Sequence, residues 1–171
     1  MRSLPALLLL CLLAVPALAT SQSKGRVISV ADGDTITVLI AGKQPIKVRL
    51  YGIDAPERGQ PYGARAKQAV SDAVFGKNVI VDPMDTDSSG LTVAIVYMPD
   101  GSSLLEHMVS AGFAWVYPQL CKREDICGPL RRLEAGARGM KRGLWADKIQ
   151  FPPWEWRQGK QCWVDSQVQG K

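Results

Sequence analysis

The chain has 171 residues, a formal net charge of +5 at pH 7, and 46 % hydrophobic against 22 % charged residues. No internal repeat or low-complexity tract appears, and the length leaves room for one domain with one core, not two. The mild basic excess would help attract a polyanion, but many basic proteins bind no nucleic acid, so charge alone singles out no partner.

The first element is a leader. Arg2, the apolar run over residues 4–15 and the small-residue pattern Ala17-Leu18-Ala19 read together as a secretory signal peptide cleaved near Ala19, giving a secreted or periplasmic protein that starts at Thr20. The apolar run is too short to cross a bilayer, so no membrane partner is expected once it is removed. The expected organisation is residues 1–19 as signal peptide, 20–24 as a short N-terminal segment, 25–157 as the domain and 158–171 as a C-terminal tail.

Cys11 falls inside the leader. Cys121, Cys127 and Cys162 remain. In an oxidising compartment Cys121 and Cys127, being close in sequence, are the first candidate disulfide, although sequence alone does not determine connectivity. With His107 as the one histidine and the wrong cysteine spacing, a zinc site is a poor alternative.

Within the domain, Ile36, Val38 and Ile40 share one face of an alternating run and Ile46, Val48 and Leu50 share one face of the next, as half-buried antiparallel strands do. Asp32-Gly33 and Gly42-Lys43 supply the turns of a three-stranded meander. The period changes over residues 61–75, where Tyr62, Ala66, Ala69, Val70 and Ala73 form one stripe of an amphipathic helix stopped by Gly76. Two further strands are expected over residues 78–81 and 92–98, bridged by the polar stretch 85–90.

A short helix over residues 103–110 directs Leu104, Leu105, Met108 and Val109 inward and leaves His107 on its polar side. A longer helix carries Leu130, Leu133, Ala137 and Met140 at helical spacing, with Arg131, Arg132, Arg138, Lys141 and Arg142 opposite. That charge run reads first as a solvated face and second as a nucleic-acid patch. Trp154, Trp156 and Trp163 follow without a period, some of them as cover for the domain. The sum is an α+β chain built on a β-barrel with helices, specifically a five-stranded Greek-key barrel of the oligonucleotide-binding kind with about three helices.

Two stretches carry chemistry: Asp32-Gly33-Asp34-Thr35 at a hairpin, and Arg49-Leu50-Tyr51-Gly52-Ile53-Asp54-Ala55-Pro56-Glu57 running off the third strand. Asp34 and Asp54, at ends of adjacent strands, are hard oxygen donors suited to a calcium-like cation. Glu57 is the available general base for an attacking water, and Arg49 is a fixed bidentate cation for a phosphate. The first segment alone is an ordinary turn; the pair together is a long, specific pattern.

That pattern, over about residues 25–156, resembles the staphylococcal nuclease-like family. The resemblance implies a five-stranded barrel with three helices and calcium-dependent cleavage of DNA and RNA. It implies Asp34, Asp54 and the backbone carbonyl of Ala55 as metal ligands, Arg49 and Glu57 as catalytic residues, and Tyr117 as an aromatic able to stack on a base or sugar. Glu106, Gly112 and the stretch from Pro152 to Arg157 also resemble family features. Where the family carries a second catalytic arginine, in an Asp-x-Tyr-Gly-Arg run, this chain has Asp87-Ser88-Ser89-Gly90-Leu91. Leu91 stands in the arginine's place.

Losing one donor aimed at a developing charge typically costs about 2.7–4 kcal/mol, so another cation must reach the phosphate or the domain mainly binds. Candidate replacements are Arg58, Arg65 and the cations of the helix over residues 131–142. The function expected is calcium-dependent hydrolysis of phosphodiester bonds in DNA, with RNA as a further substrate, by a monomer. The alternative is a catalytically impaired nucleic-acid-binding barrel.

Overall fold

The alternating run at Ile36, Val38 and Ile40 forms a strand in the computed structural model, which describes residues 22–159 other than 43 and 149. This strand, β2 (Thr35–Ile40), buries all three side chains. It pairs antiparallel with β1 (Ser23–Val30), Val27 opposite Val38, and with β3 (Ile46–Leu50), Ile36 opposite Val48. A register shift between Val27 and Ser29 bends β1, as closure of a small barrel requires.

A two-residue strand, β4 (Ile53–Asp54), and a helix, α1 (Gly63–Val74), precede β5 (Asn78–Thr86) and β6 (Thr92–Tyr97). The barrel closes in the order β1-β2-β3-β6-β5, confirming five strands. The β3–β6 pair is parallel, Val48 opposite Thr92, and so is not part of a simple meander. A parallel pair needs a long crossover, and β4, α1 and β5 provide it.

The expected end of the fourth strand at residue 81 is corrected. β5 continues to Thr86 with a register shift between Pro83 and Asp85, so its apolar alternation stops before its hydrogen bonding does. Proline lacks the ladder N–H and is accommodated at such irregularities.

α1 (Gly63–Val74) and α2 (Leu104–Ser110) start one or two residues later than the apolar period suggests. Pro61 and Tyr62 precede α1, with Tyr62 at φ 68°, and α1 buries Ala66, Val70 and Val74 before Gly76 at φ 72° ends the turn. α2 (Leu104–Ser110) buries Leu104, Leu105, Met108 and Val109 and leaves His107 exposed, as expected. After β7 (Trp115–Val116), α3 (Glu124–Gly139) buries Cys127, Leu130 and Ala137. Met140, expected inward, lies just past α3 and is 66 % exposed. A 3₁₀ turn (Gly143–Ala146) and a fourth short helix, α4 (Pro153–Trp156), complete the chain described.

Val27, Ile36, Val38, Val48, Leu50, Val81 and Val96 belong to the main core, joined by α1 and α2. Burying each side chain of this size contributes about 1.5–3 kcal/mol, so the strand ends are firmly fixed. A smaller cluster joins Trp115, Ala137, Leu144 and Trp145.

β4 pairs with β7, Asp54 opposite Trp115, which pins Asp54 at the barrel's rim. The disulfide joins Cys121 and Cys127, with Cα atoms 5.7 Å apart. A Cβ on Gly52, where φ is +70°, would sit 2.6 Å from Cys121 Sγ, so glycine is required at that contact. No described helix is long and apolar enough to cross a membrane. The expected signal peptide with Cys11, and Cys162 and Trp163 in the tail, lie outside the described residues.

Candidate active site

Asp34 is placed by its turn. Asp32 Oδ1 accepts the Asp34 N–H at 3.1 Å, a local bond that aspartate side chains favour in turns. Gly33 lets the turn lie flat, because a Cβ there would be 2.7 Å from both Ala55 Cβ and Ala66 Cβ. Asp34 then accepts the Thr35 hydroxyl at 2.8 Å and the Ala55 N–H at 3.0 Å, which ties it to the residue after Asp54.

Glu57 is placed by Gln60 and Gly63. The Glu57 N–H donates to Gln60 Oε1 at 3.0 Å, and the Gln60 amide nitrogen donates to the Phe151 carbonyl at 2.6 Å. Buried Gln60 thus brackets the Glu57 backbone and the approach to the C-terminal tail. A Cβ on Gly63 would fall 2.0 Å from the Glu57 carbonyl oxygen, so α1 starts hard against Glu57 only because residue 63 has no side chain.

Arg49, on β3, is held at 2.8 Å by Asp87 Oδ2. The other Asp87 oxygen accepts the Ser89 and Leu91 N–H groups, at 2.8 and 3.0 Å. The Asp87–Leu91 run is therefore a turn that orients Arg49, and position 91 contributes a backbone donor to Asp87.

Asp32, Asp34, Arg49, Ile53, Asp54, Ala55, Glu57, Tyr117, Leu120 and Arg157 line a cleft of about 310 Å³. All the residues read from sequence as ligands, catalytic groups and stacking aromatic come together there. Tyr117 is already stacked on Trp154, with ring centroids 4.6 Å apart and planes 4° apart, so Trp154 works as cover on the cleft's aromatic.

The sequence reading missed Arg157. Its two terminal nitrogens contact Asp54 Oδ1 at 3.2 Å, Asp54 Oδ2 at 2.8 Å and Glu57 Oε1 at 2.5 Å. The replacements expected for the absent arginine lie elsewhere. Arg58 is exposed, Arg65 lies over the Tyr62 ring at 5.1 Å, Arg131 pairs with Glu124, and Arg138 pairs with Glu134 and covers Trp145. The paired arginines of α3 fit a solvated face.

Four carboxylates and two guanidiniums line the cleft, a formal excess of two negative charges. Burial pushes Asp34 up to about 8, reinforced by Asp32 and Asp54 and opposed by the Ala55 N–H. Burial also raises Asp54, against the lowering effect of Arg157. Such a site disfavours its own charged state and also an incoming phosphate unless a cation enters. Among the described residues no group of three or more His, Cys, Asp or Glu side chains converges to hold a metal. The residues still fit a hard cation that takes two carboxylates, Asp34 and Asp54, and completes its shell with backbone and water oxygens.

An oligonucleotide-binding-type barrel whose rim carries an acidic, arginine-flanked cleft defines the class of protein. The Staphylococcal nuclease homologue family model matches residues 47–147. The chain is 40 % identical to Protein ParB of Escherichia coli over 156 residues, 86 % of each chain. It is 39 % identical to the Micrococcal nuclease of Shigella flexneri over 154 residues, 85 % of this chain and 86 % of that one. It is 43 % identical to an Uncharacterized endonuclease of Escherichia coli O157:H7 over 136 residues, 80 % of this chain and 86 % of that one. The chain belongs to the staphylococcal nuclease homologue family.

Proposed function

We propose that this protein is a calcium-dependent nuclease that hydrolyses phosphodiester bonds in DNA, and in RNA as a further substrate. The observation that carries the reading is the convergence of Asp34, Asp54, Arg49 and Glu57 on one cleft, in a chain whose relatives are named as nucleases. Asp34 and Asp54, with the Ala55 carbonyl, would hold the divalent cation. When bound, that cation supplies Lewis-acid polarisation of a phosphate oxygen and offsets the cleft's excess negative charge.

Glu57, oriented by Gln60, accepts the proton of the attacking water at its carboxylate. Arg49, held square by Asp87, donates to the phosphate oxygens whose charge grows in the transition state. Tyr117 and Trp154 form an aromatic surface beside the cleft against which a base or sugar rests. Action outside the cytoplasm is supported by the leader-like N-terminus and by the Cys121–Cys127 disulfide.

A cleavage assay tests the reading, with single-stranded DNA, calcium or a chelator, and three proteins: wild type, Glu57→Gln and Leu91→Arg. The nuclease reading expects wild type to cut only with calcium and Glu57→Gln to fall silent. A silent wild type with an active Leu91→Arg would instead favour a binding module.

A further inference from the structure

Arg157 sits on the first residues after α4, 100 positions beyond Glu57, yet it enters the cleft. Two contacts deliver it there without using its own side chain. Gln60 holds the Phe151 carbonyl, and Trp154 lies flat on Tyr117. The Arg157 N–H bonds the Pro153 carbonyl at 2.9 Å, which sets where its side chain leaves the backbone.

Its two ion pairs differ in exposure. The Arg157 side chain is 45 % exposed, that of Glu57 37 % and that of Asp54 8 %. The Glu57 pair, open to water at both ends, contributes about 0–1 kcal/mol and exchanges partners readily, whereas the two-pronged Asp54 pair yields only to a competing cation. Asp54 and Glu57 are also the two groups that must be free, one for the cation and one for the water proton. In the cleft lining, the only other guanidinium among the described residues is Arg49, committed to Asp87.

We propose that Arg157 is a catalytic residue of this cleft: its guanidinium exchanges Asp54 and Glu57 for the oxygens of the scissile phosphate and acts with Arg49 as the second cation on that group. The proposal rests on the nuclease reading above. Exchange follows from charge: with a cation bound at Asp54 the guanidinium would lose the attraction that keeps it there, and an arriving phosphate would offer a bidentate acceptor matched to its fork. Release from Glu57 leaves that carboxylate able to accept a proton. A lysine at 157 keeps the charge without the fork.

The test compares wild type, Arg157→Gln, Arg157→Lys and Arg157→Ala in the full mature protein. Calorimetric titration with calcium alone, without nucleic acid, is expected to give Arg157→Gln an affinity equal to or tighter than wild type, since a competing cation has left Asp54. Its kcat on single-stranded DNA at saturating calcium is expected to fall about 10²–10³-fold, with Arg157→Lys between the two. Guanidinium ion at low millimolar concentration is expected to restore part of the Arg157→Ala rate.

Wild-type kcat in Arg157→Gln overturns the proposal, as does a loss of rate that parallels a loss of calcium binding and is not restored by guanidinium. If wild type itself fails to cut, the nuclease reading falls. The phosphate contact is then judged separately by binding of inorganic phosphate in calcium. A fall of about tenfold or more in Arg157→Gln supports the contact, and unchanged affinity overturns it.

Discussion

The two sides of the cleft are built differently. Asp34 and Asp54 stand at strand ends, almost fully buried, with their backbones placed by the barrel and by the turn and short strand at its rim. Trp154 comes from a four-residue helix near the C-terminus and Arg157 from the residue just after it, both partly open to water, and they reach the cleft through one amide hydrogen bond and one ring stack. The acids therefore cannot move aside and must be neutralised where they are. The exchange proposed for Arg157 requires the tail-borne cation to move, and its side chain is 45 % exposed. A site that needs a fixed cation trap and an adaptable phosphate clamp gains both from this division.

The largest effect is expected at Glu57, which meets the tail at Arg157 and is placed by Gln60 at the rim. Glu57→Gln is expected to lower kcat about 10²–10⁴-fold, the range of a lost general base, with the melting temperature nearly unchanged; steady-state kinetics and a thermal melt check it.

Asp34→Asn should separate stability from function on the fixed side. The Asp34 carboxyl ionises at about 8 in the fold and at 3.8 when exposed, so between those values the folded state binds more protons than the unfolded state. Its contribution to stability therefore falls as pH rises from about 4 to 8 without calcium. Denaturant titrations of calcium-free protein should show that decline in wild type and a flatter profile in Asp34→Asn, while calorimetry shows calcium binding lost in the variant. An equal slope in both would place the proton elsewhere.

Gly63→Ala drives a methyl into the Glu57 carbonyl and is expected to cost about 1–3 kcal/mol by overpacking, together with a loss of rate from displaced Glu57; urea unfolding and kcat on the same preparation measure both. The smallest effect is expected on the mobile-partner side. Trp154→Ala removes a ring stack worth about 0.5–1.5 kcal/mol beyond its buried area. It should raise KM for single-stranded DNA several-fold with a lesser change in calcium affinity.

Much of the fixed side was legible in the sequence, for a physical reason. Ile36, Val38 and Ile40 alternate because one face of β2 is core, and Asp34 and Asp54 follow directly from where those strands must end. β4 and β7 could not be read, because two residues define no period. Nor could the parallel β3–β6 pair, whose alternation resembles that of an antiparallel strand. The extension of β5 past Val81 was hidden because its hydrogen bonds outlast its apolar pattern.

The tail side was nearly illegible. Nothing in Trp154-Glu155-Trp156-Arg157 indicates that residue 157 returns to residues 54 and 57, and a search for cations near in sequence leads to Arg58 and Arg65, which point to other surroundings. The link is Gln60, whose burial shows only in the fold. A fully enclosed amide must find partners, and one of its partners is the stretch that leads to Arg157.

If a divalent cation on Asp34 and Asp54 turns this acidic cleft into a phosphodiester-cutting site, cleavage must follow cation occupancy. Calcium titrated into one preparation of the purified protein, with binding followed by calorimetry and cleavage of single-stranded DNA followed in parallel, measures both. The rate is expected to rise in step with occupancy of one ion per chain and to vanish with chelator. Full occupancy without cleavage, or cleavage that chelator leaves untouched, overturns the calcium-dependent nuclease.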